Sequence, residues 1–350
     1  MNGPALHRNN SRSPLRLGFV PLSDCAPIAV ANEAGIFERY GLNVKLSREL
    51  GWASIRDKVY YGDLDAAQSI AGIALSLGLG FTDLRCEVVV PLVLNLNGNA
   101  ITISSSLKAS DIGGKGENLK HYLTHSWKKD RPFTLAVPHR FSSHHILLHR
   151  WFRSLGLNYP DDSEILFLPP SLMPRLLKAG HIDGYCVGEP WNSESILTGD
   201  GWCPATSAEL SPGHPEKVLL VAGRFQHEHR DETVALVAAL LEACRICQDP
   251  AFRSDLVSIL AMKNYTGASP EVLQNSLESH LEINRFSFNS SSSFNVFHGE
   301  TVNSPTVEKA LWVLAGLRDI GTLPDITCGS LSRIFRQDIY LAATSGGLSA

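Results

Sequence analysis

The sequence predicts a two-lobed α/β fold with a ligand cleft between the lobes. The chain has 350 residues, and single hydrophobic cores stop growing near about 250–300 residues. Apolar runs with strand character alternate with segments of helical spacing, which is typical of lobes built on a mostly parallel sheet. Two strand-like segments, each expected to cross from one lobe to the other, divide this alternation into two parts. Clefts between such lobes are preferred ligand sites, and hinge motion closes them.

The first part of the chain shows the alternation of strand and helix most clearly. Gly41 ends the first helical segment, and the residues after it alternate apolar and polar side chains as a strand does. The predicted elements are a strand at 15–21, a helix at 26–39, a strand at 42–46, a helix at 52–60, an alanine-rich apolar stretch at 65–79 and a strand at 87–96.

The second part lies between a crossing strand at 101–105 and a returning strand at 218–222. Its predicted elements are strands at 133–137, 165–168 and 184–187 and helices at 145–155 and 172–179, and a long amphipathic helix follows at 231–247. The prediction therefore assigns 1–14 to a flexible polar tail, 15–100 plus 218–350 to lobe 1, and 101–217 to lobe 2. A serine-rich stretch at 290–293 is expected to be a solvated loop.

Composition limits the functions that remain. Hydrophobic residues make up 44% of the chain and charged residues 19%, so a core of useful size forms without disulfides. The formal net charge of −4 argues against broad electrostatic binding to nucleic acid or to anionic membranes. An anionic ligand would therefore have to be attracted by a local pocket.

The beginning of the chain and its cysteines both favour the cytoplasm. Residues 1–14 are polar, and no apolar run of the roughly 7–15 residues found in a secretion signal follows them. The seven cysteines form an odd set without framework spacing, as in proteins of reducing compartments. We therefore expect a cytoplasmic protein, and the alternative is a chain whose leader has been removed.

Trp52 stands at the start of a predicted helix. A helix N-terminus offers free backbone N–H groups and a partial positive charge to an anion, and the indole adds a donor and a flat wall. The alternative is a tryptophan of the hydrophobic core.

A second cluster, HRFSSHHILLHRW at 139–151, holds four histidines. His145 and His149 are four residues apart, as zinc ligands on a helix can be. No acidic residue stands beside the first of them, so solvated histidines on a helix face are the favoured interpretation. His144, beside Ser143 at the helix start, is better placed to donate to an anion.

The segment HPEK at 214–217 precedes a strand, and Lys217 would enter the cleft as a compact cation with three donors. An exposed lysine is the alternative. The pair Cys244 and Cys247 lies inside a predicted helix without a second pair, and we interpret it as structural. The sequence holds no nucleophile elbow, phosphate loop, dinucleotide fingerprint or paired carboxylates. We therefore expect a protein that is not an enzyme and needs no metal or cofactor.

Five segments together resemble the nitrate- and bicarbonate-binding proteins of ABC transporters (NrtA/CmpA-like), and most of all their cytoplasmic relative, the nitrate/nitrite sensor NasS. They are LGFVPLSDCAPIAVANEAGIFERYGLNVKLSRE, the Trp52 segment with IRDK, LNLNGNAITIS, GEPWN and HPEK. The resemblance runs from about residue 15 to 220 and is loose in the last third. It implies a periplasmic-binding-protein-like fold of type II.

The resemblance also implies a ligand set. In nitrate-binding members a tryptophan, a glutamine, a histidine and a lysine surround the ligand. By motif these positions carry Trp52, Asn99 in place of the glutamine, His144 and Lys217. Asparagine keeps the amide donor but reaches less far, so the choice between nitrate and nitrite stays open. We further expect Gln68, Ser143 and Glu189 to lie beside these four.

The function implied is that of a cytoplasmic nitrate/nitrite sensor. Its partner would be an RNA-binding antiterminator of the ANTAR type (NasT-like), which the anion releases by binding the partner-free form more tightly. The alternative is the substrate-binding component of an ABC transporter for nitrate, nitrite or bicarbonate. Bicarbonate carries a proton and needs an acceptor, and the histidine with the lysine favours nitrate or nitrite.

Overall fold

The computed structural model describes residues 13–127, 131–158, 161–278, 294–323 and 331–345. Its strands form two mixed sheets, and helices pack around them, so the predicted α/β class is confirmed. The predicted loop at 290–293 and most of the predicted tail at 1–14 lie outside the described residues.

The first sheet has six strands within the described ranges. From edge to edge they are β11 (Asn295–Val296), β4 (Val88–Asn97), β10 (Pro215–Ala222), β3 (Ala66–Ile70), β1 (Leu15–Phe19) and β2 (Val44–Arg48). β1 pairs in parallel with β2 and β3, and β10 runs antiparallel between β3 and β4. The returning part of the chain thus supplies a central strand of the sheet formed by its beginning.

The second sheet has five strands among the residues described. They follow the order β7 (Glu164–Phe167), β6 (Thr134–Val137), β8 (Gly184–Gly188), β5 (Asn99–Ser104) and β9 (Gly201–Thr206). β6 is parallel to both of its neighbours, whereas β5 is antiparallel to β8 and β9.

The chain passes between the sheets at Gly98, and it returns between Thr206 and Pro215. The predicted lobe boundaries, after residues 100 and 217, lie a few residues further along. Asn99 pairs with Gly188 in the second sheet, and Lys217 pairs with Ile70 in the first. The boundaries differ because strand ends are decided by their pairing partners, which are distant in sequence. The assignment of the other residues to lobes stays a prediction.

The helices of the described residues, in chain order, are α1 (Ala26–Glu33), α2 (Ile36–Arg39), α3 (Trp52–Tyr61), α4 (Ala71–Leu79), α5 (Ala109–Ile112), α6 (Leu119–His125), α7 (Ser143–Ser154), α8 (Met173–Lys178), α9 (Trp191–Leu197), α10 (Ser207–Leu210), α11 (Gly223–Glu228), α12 (Arg230–Gln248), α13 (Arg253–Leu260), α14 (Pro270–Glu278), α15 (Val307–Asp319) and α16 (Gln337–Ser345). The single helix predicted at 26–39 is wrong: Gly35, at φ +62°, separates α1 from α2. A left-handed residue cannot continue a helix.

Two elements near the GEPWN motif were not predicted. α9 begins at the tryptophan of that motif, and its remaining residues are mainly polar, so it shows little helical periodicity. β9 contains Pro204, which lacks the N–H that an inner strand needs. The structure places β9 at the edge of the second sheet, where proline is tolerated.

The buried core continues across the contact between the two sheets. Phe141 and Ile146, which follow β6, belong to the same buried apolar cluster as the residues of the first sheet. Phe141 packs its ring against Phe81, with ring centroids 5.5 Å apart. The residues between the sheets are therefore enclosed, and the candidate site lies there.

Among the described helices, none combines the length and apolar character needed to cross a membrane.

Candidate functional site

Lys217 is the centre of a buried polar cluster. It lies near the start of β10 and has no exposed surface, so the interpretation as an exposed lysine is wrong. Its Nζ lies 2.8 Å from Oδ2 of Asp24 and 2.5 Å from Oε1 of Glu216. A fully buried ammonium group needs such partners because desolvation of an unpaired charge is very costly.

Glu216 joins residues of both sheets. Its Oε2 accepts hydrogen bonds from Oγ of Ser143 at 2.5 Å and from Nδ2 of Asn99 at 2.6 Å. Two histidines approach the same carboxylate: His144 Nε2 lies 3.5 Å from Oε1, and His214 Nδ1 lies 3.6 Å from Oε2. The structure therefore brings Asn99, His144 and Lys217 together around a residue that was not predicted.

Sequence reasoning missed Glu216 although it quoted the HPEK motif. In a regular strand adjacent side chains point to opposite faces, so only one of Glu216 and Lys217 would face the cleft. The pairing of β10 with β4 is irregular on both sides of Lys217. Such bulges re-aim side chains, and here both side chains enter one cluster. The signal available in the sequence was the acidic residue of HPEK itself, directly before the lysine.

Trp52 lies beneath the lysine. It is the first residue of α3 and is 1% exposed, and its ring centroid lies 5.3 Å from Lys217 Nζ, within cation–π range. The ring is thus part of the buried core, as the alternative interpretation proposed. Its indole Nε1, however, has no hydrogen-bond partner in the described part of the chain.

Gln68 and Glu189 support the cluster in different ways. Gln68, on β3, donates from Nε2 to Asp24 Oδ1 at 2.6 Å, and its Oε1 accepts from the backbone N–H of Val20. Gln68 thereby orients Asp24, another residue that sequence reasoning missed. The carbonyl of Glu189 accepts from the N–H of Ser23, the residue before Asp24. Its carboxylate accepts instead from the N–H of Ser193, so Glu189 supports the cluster through its backbone carbonyl.

Several buried polar atoms around Lys217 lack a hydrogen bond within the described ranges. They are Trp52 Nε1, His144 Nδ1 and Nε2, Asn99 Oδ1 and His214 Nε2. Buried polar atoms are nearly always paired, because leaving one unpaired costs about 1–3 kcal/mol. A set of such atoms around one buried lysine therefore indicates a ligand site. It offers the indole donor, one donor and one acceptor on neutral His144, and acceptors at Asn99 Oδ1 and at His214 Nε2, because His214 Nδ1 faces the carbonyl of Pro215.

The charges of the cluster follow from its hydrogen bonds. Burial alone would lower the pKa of Lys217, but the carboxylates of Asp24 and Glu216 outweigh it and raise the pKa. Burial would raise the pKa of Glu216, yet Lys217 and the two histidines lower it to about 2. Burial lowers the pKa of His144 to about 3, and Glu216 opposes this only in part. The lysine and Glu216 are therefore charged near neutral pH, and His144 is neutral.

The other histidines and the cysteines do not form a metal centre in the part of the chain described. No group of three metal-ligating side chains is close enough to hold an ion there. His145 and His149 are buried, so the interpretation as solvated histidines is wrong. His145 Nδ1 lies 2.8 Å from the carbonyl of Arg140, and its ring packs against Phe167. Cys244 and Cys247 are buried free thiols in α12.

Comparison with known proteins gives the family. The model of the NMT1-like family matches residues 8–261, which is well over half of the chain. The chain belongs to the NMT1-like family. Binding proteins named for nitrate/nitrite and for bicarbonate are among its relatives.

Two import proteins of Synechocystis sp. are similar to this NMT1-like chain. It is 36% identical to the nitrate import ATP-binding protein NrtC over 97% of the chain and 50% of that protein. It is 37% identical to the bicarbonate transport ATP-binding protein CmpC over 89% of the chain and 46% of that protein. The chain thus spans about half the length of these curated relatives.

The structure of the NMT1-like chain resembles the crystal structure of the periplasmic nitrate-binding protein NrtA from Synechocystis PCC 6803. The TM-score is 0.88 at 21% identity, over 97% of this chain and 90% of the other. The predicted fold, that of the periplasmic substrate-binding proteins of ABC importers, is confirmed. The predicted resemblance to nitrate- and bicarbonate-binding proteins is confirmed as well, whereas the special closeness to a cytoplasmic sensor stays a prediction.

Proposed function

We propose that this chain is the anion-binding component of an import system and holds nitrate or nitrite beside Lys217. The observation that carries the proposal is the buried lysine surrounded by unpaired donors, the indole N–H of Trp52 and the ring of His144. The relatives named for nitrate and bicarbonate import support the same class of ligand. The relatives named as nitrate/nitrite-binding and bicarbonate-binding proteins favour binding over catalysis.

The residues suit a flat anion with three acceptor oxygens. An ammonium group has three donors, and Lys217 uses two on Asp24 and Glu216, which leaves one for a ligand. The indole and an imidazole N–H add two more. Charge-assisted hydrogen bonds contribute about 1.5–3 kcal/mol each, so a small set accounts for the roughly 8 kcal/mol of micromolar binding.

The sensor hypothesis takes second place. The reported relatives are named for import, which supports a transport component first. The six described cysteines are free, which is the observation that favours the cytoplasmic sensor. A sensor would bind an RNA-binding antiterminator and release it with nitrate or nitrite. If neither nitrate nor nitrite changes the affinity for that partner, the sensor hypothesis is contradicted.

Titration calorimetry of the chain with nitrate, nitrite and bicarbonate tests the proposed ligand. We expect micromolar binding of nitrate or nitrite with one site per chain, because the cluster holds a single lysine. Bicarbonate carries an O–H donor that Asn99 Oδ1, unpaired within the described ranges, can accept, so its titration decides between the two kinds of anion. Heat from bicarbonate alone would reassign the ligand, and no heat from any of the three anions would leave only the fold and the family standing.

Replacing Trp52 by Phe tests whether the unpaired indole donor serves the anion. The variant keeps an aromatic ring under Lys217 and removes the Nε1 donor, which has no partner among the described residues. We expect nitrate affinity to fall by about tenfold to hundredfold, the value of a charge-assisted hydrogen bond of roughly 1.5–3 kcal/mol. Trp191→Phe is the matched control, since its indole Nε1 is also buried and unpaired among those residues. Equal losses in both variants would refute a specific role for Trp52.

A further inference from the structure

The cluster around Lys217 already carries a net negative charge before any anion binds. Both oxygens of Asp24 accept hydrogen bonds, one from Gln68 and one from the ammonium group. Both oxygens of Glu216 also accept, from the lysine on one side and from Ser143 and Asn99 on the other. Burial raises the pKa of Asp24, and Lys217 opposes this rise. The 2.8 Å contact with the ammonium group is the reason to count Asp24, like Glu216, as a carboxylate. With one lysine and neutral histidines, the sum is −1.

A second negative charge in this enclosed space would be very unfavourable. Asp24, Glu216 and Lys217 are all at least 97% buried, so water does not screen their charges. Like charges repel strongly where the dielectric constant is low. Hydrogen-bond donors alone do not remove this cost, because the anion would raise the buried charge to −2. A positive charge that enters with the anion removes this cost.

The pair His144 and Glu216 offers a place for that charge. His144 Nε2 lies 3.5 Å from Glu216 Oε1, and both atoms are fully buried. Neither ring nitrogen of His144 has a hydrogen bond among the described residues. A neutral imidazole donates through one nitrogen only, whereas the protonated ring donates through both. Protonated His144 can donate to Glu216 with one nitrogen and to the anion with the other.

We propose that the anion binds together with one proton, which the His144–Glu216 pair holds. The proposal rests on the proposed function, since it concerns the same pocket. Atoms and charge balance: one anion and one proton enter, and the buried charge stays at −1. Glu216 is thereby the residue that makes binding depend on pH.

The other groups that face this pair do not replace it. Lys217 is charged already, and Asp24 contacts that lysine rather than the pair. Burial raises the pKa of Asp24, and Glu216 adds to this rise. His214 approaches the opposite oxygen of Glu216 and stacks on Trp312, with ring centroids 5.2 Å apart. Cys186 faces the pair from β8, and burial raises the pKa of its thiol further above neutrality.

Calorimetry of nitrate binding in buffers with different ionisation heats measures the proton directly. We expect uptake of about one proton per anion near neutral pH. The Kd is expected to rise about tenfold per pH unit above the pKa of about 3 that His144 has in the free protein, up to the higher pKa that it has in the complex. The sign follows from linkage: the bound state holds the extra proton, so raising the pH favours the free state. A Kd independent of pH with no proton uptake would overturn the inference and leave the proposed function intact. Failure of nitrate, nitrite and bicarbonate to bind at every pH would overturn both.

Glu216→Gln identifies the group responsible. The amide keeps the size of the side chain and one of the two acceptor oxygens, replaces the other by a donor and removes the charge, so the anion restores a sum of −1 without a proton. We expect proton uptake near zero and a Kd that no longer changes with pH. Glu189→Gln removes the neighbouring buried carboxyl, whose pKa burial raises to about 7. Uptake that disappears in Glu189→Gln and persists in Glu216→Gln would overturn the assignment.

Discussion

Lys217→Met is expected to abolish nitrate binding and to lower the free energy of unfolding by about 3–5 kcal/mol. The substitution keeps the apolar stem of the side chain and removes the one cation that Asp24 and Glu216 share. Two carboxylates would then face each other without a counter-charge in a fully buried site. Calorimetry with nitrate measures the first effect, and urea unfolding measures the second.

The surface pair of Lys178 with Asp200 provides the matched control. Its ammonium group lies 3.3 Å from the carboxylate, and the lysine side chain is 67% exposed. Lys178→Met is therefore expected to change stability by no more than about 1 kcal/mol, because water screens such pairs. It should leave nitrate binding unchanged. Full nitrate affinity in Lys217→Met would place the ligand elsewhere and contradict the proposed site.

Gly72→Ala is expected to weaken nitrate binding by preventing close contact between the two lobes. Gly72 lies in α4, and a methyl group there would stand 1.8 Å from the carbonyl oxygen of Phe141. Phe141 follows β6 of the second sheet, so the clash falls on the contact between the sheets. Overpacking typically costs about 1–3 kcal/mol, which is roughly a tenfold to hundredfold rise in Kd. Calorimetry measures the affinity, and small-angle scattering detects the more open molecule.

Gly78→Ala, in the same helix, separates this effect from a change in helix propensity. A methyl group at Gly78 would meet the Cδ1 end of Ile334 at 2.5 Å, a side-chain tip that can rotate away. Both substitutions gain the same intrinsic helix propensity, but only the first is opposed by backbone. We expect nitrate affinity to be retained in Gly78→Ala. Identical behaviour of the two variants would show that the contact with Phe141 does not control closure.

Local features of the sequence predicted much of the architecture. The short apolar runs at the start of the chain became β1 and β2, and the amphipathic run at 231–247 became α12. His144 lies in the first turn of α7, near the predicted start of the helix at residue 145, and Ser142 caps that helix. These predictions succeeded because strand alternation, helical spacing and glycine stops are properties of neighbouring residues. The anion-binding role of Trp52, Asn99, His144 and Lys217 stays a prediction.

The sequence by itself determined the fold class, the family resemblance and a set of donor side chains that includes Lys217. Only the tertiary structure decided that this lysine is paired with two buried carboxylates. Asp24 reaches it from the short 3₁₀ turn after β1, almost two hundred residues away in sequence, and the irregular start of β10 brings Glu216 to the same side. Periodicity describes neighbours along the chain, whereas the charge of a buried pocket depends on which distant groups the fold brings together.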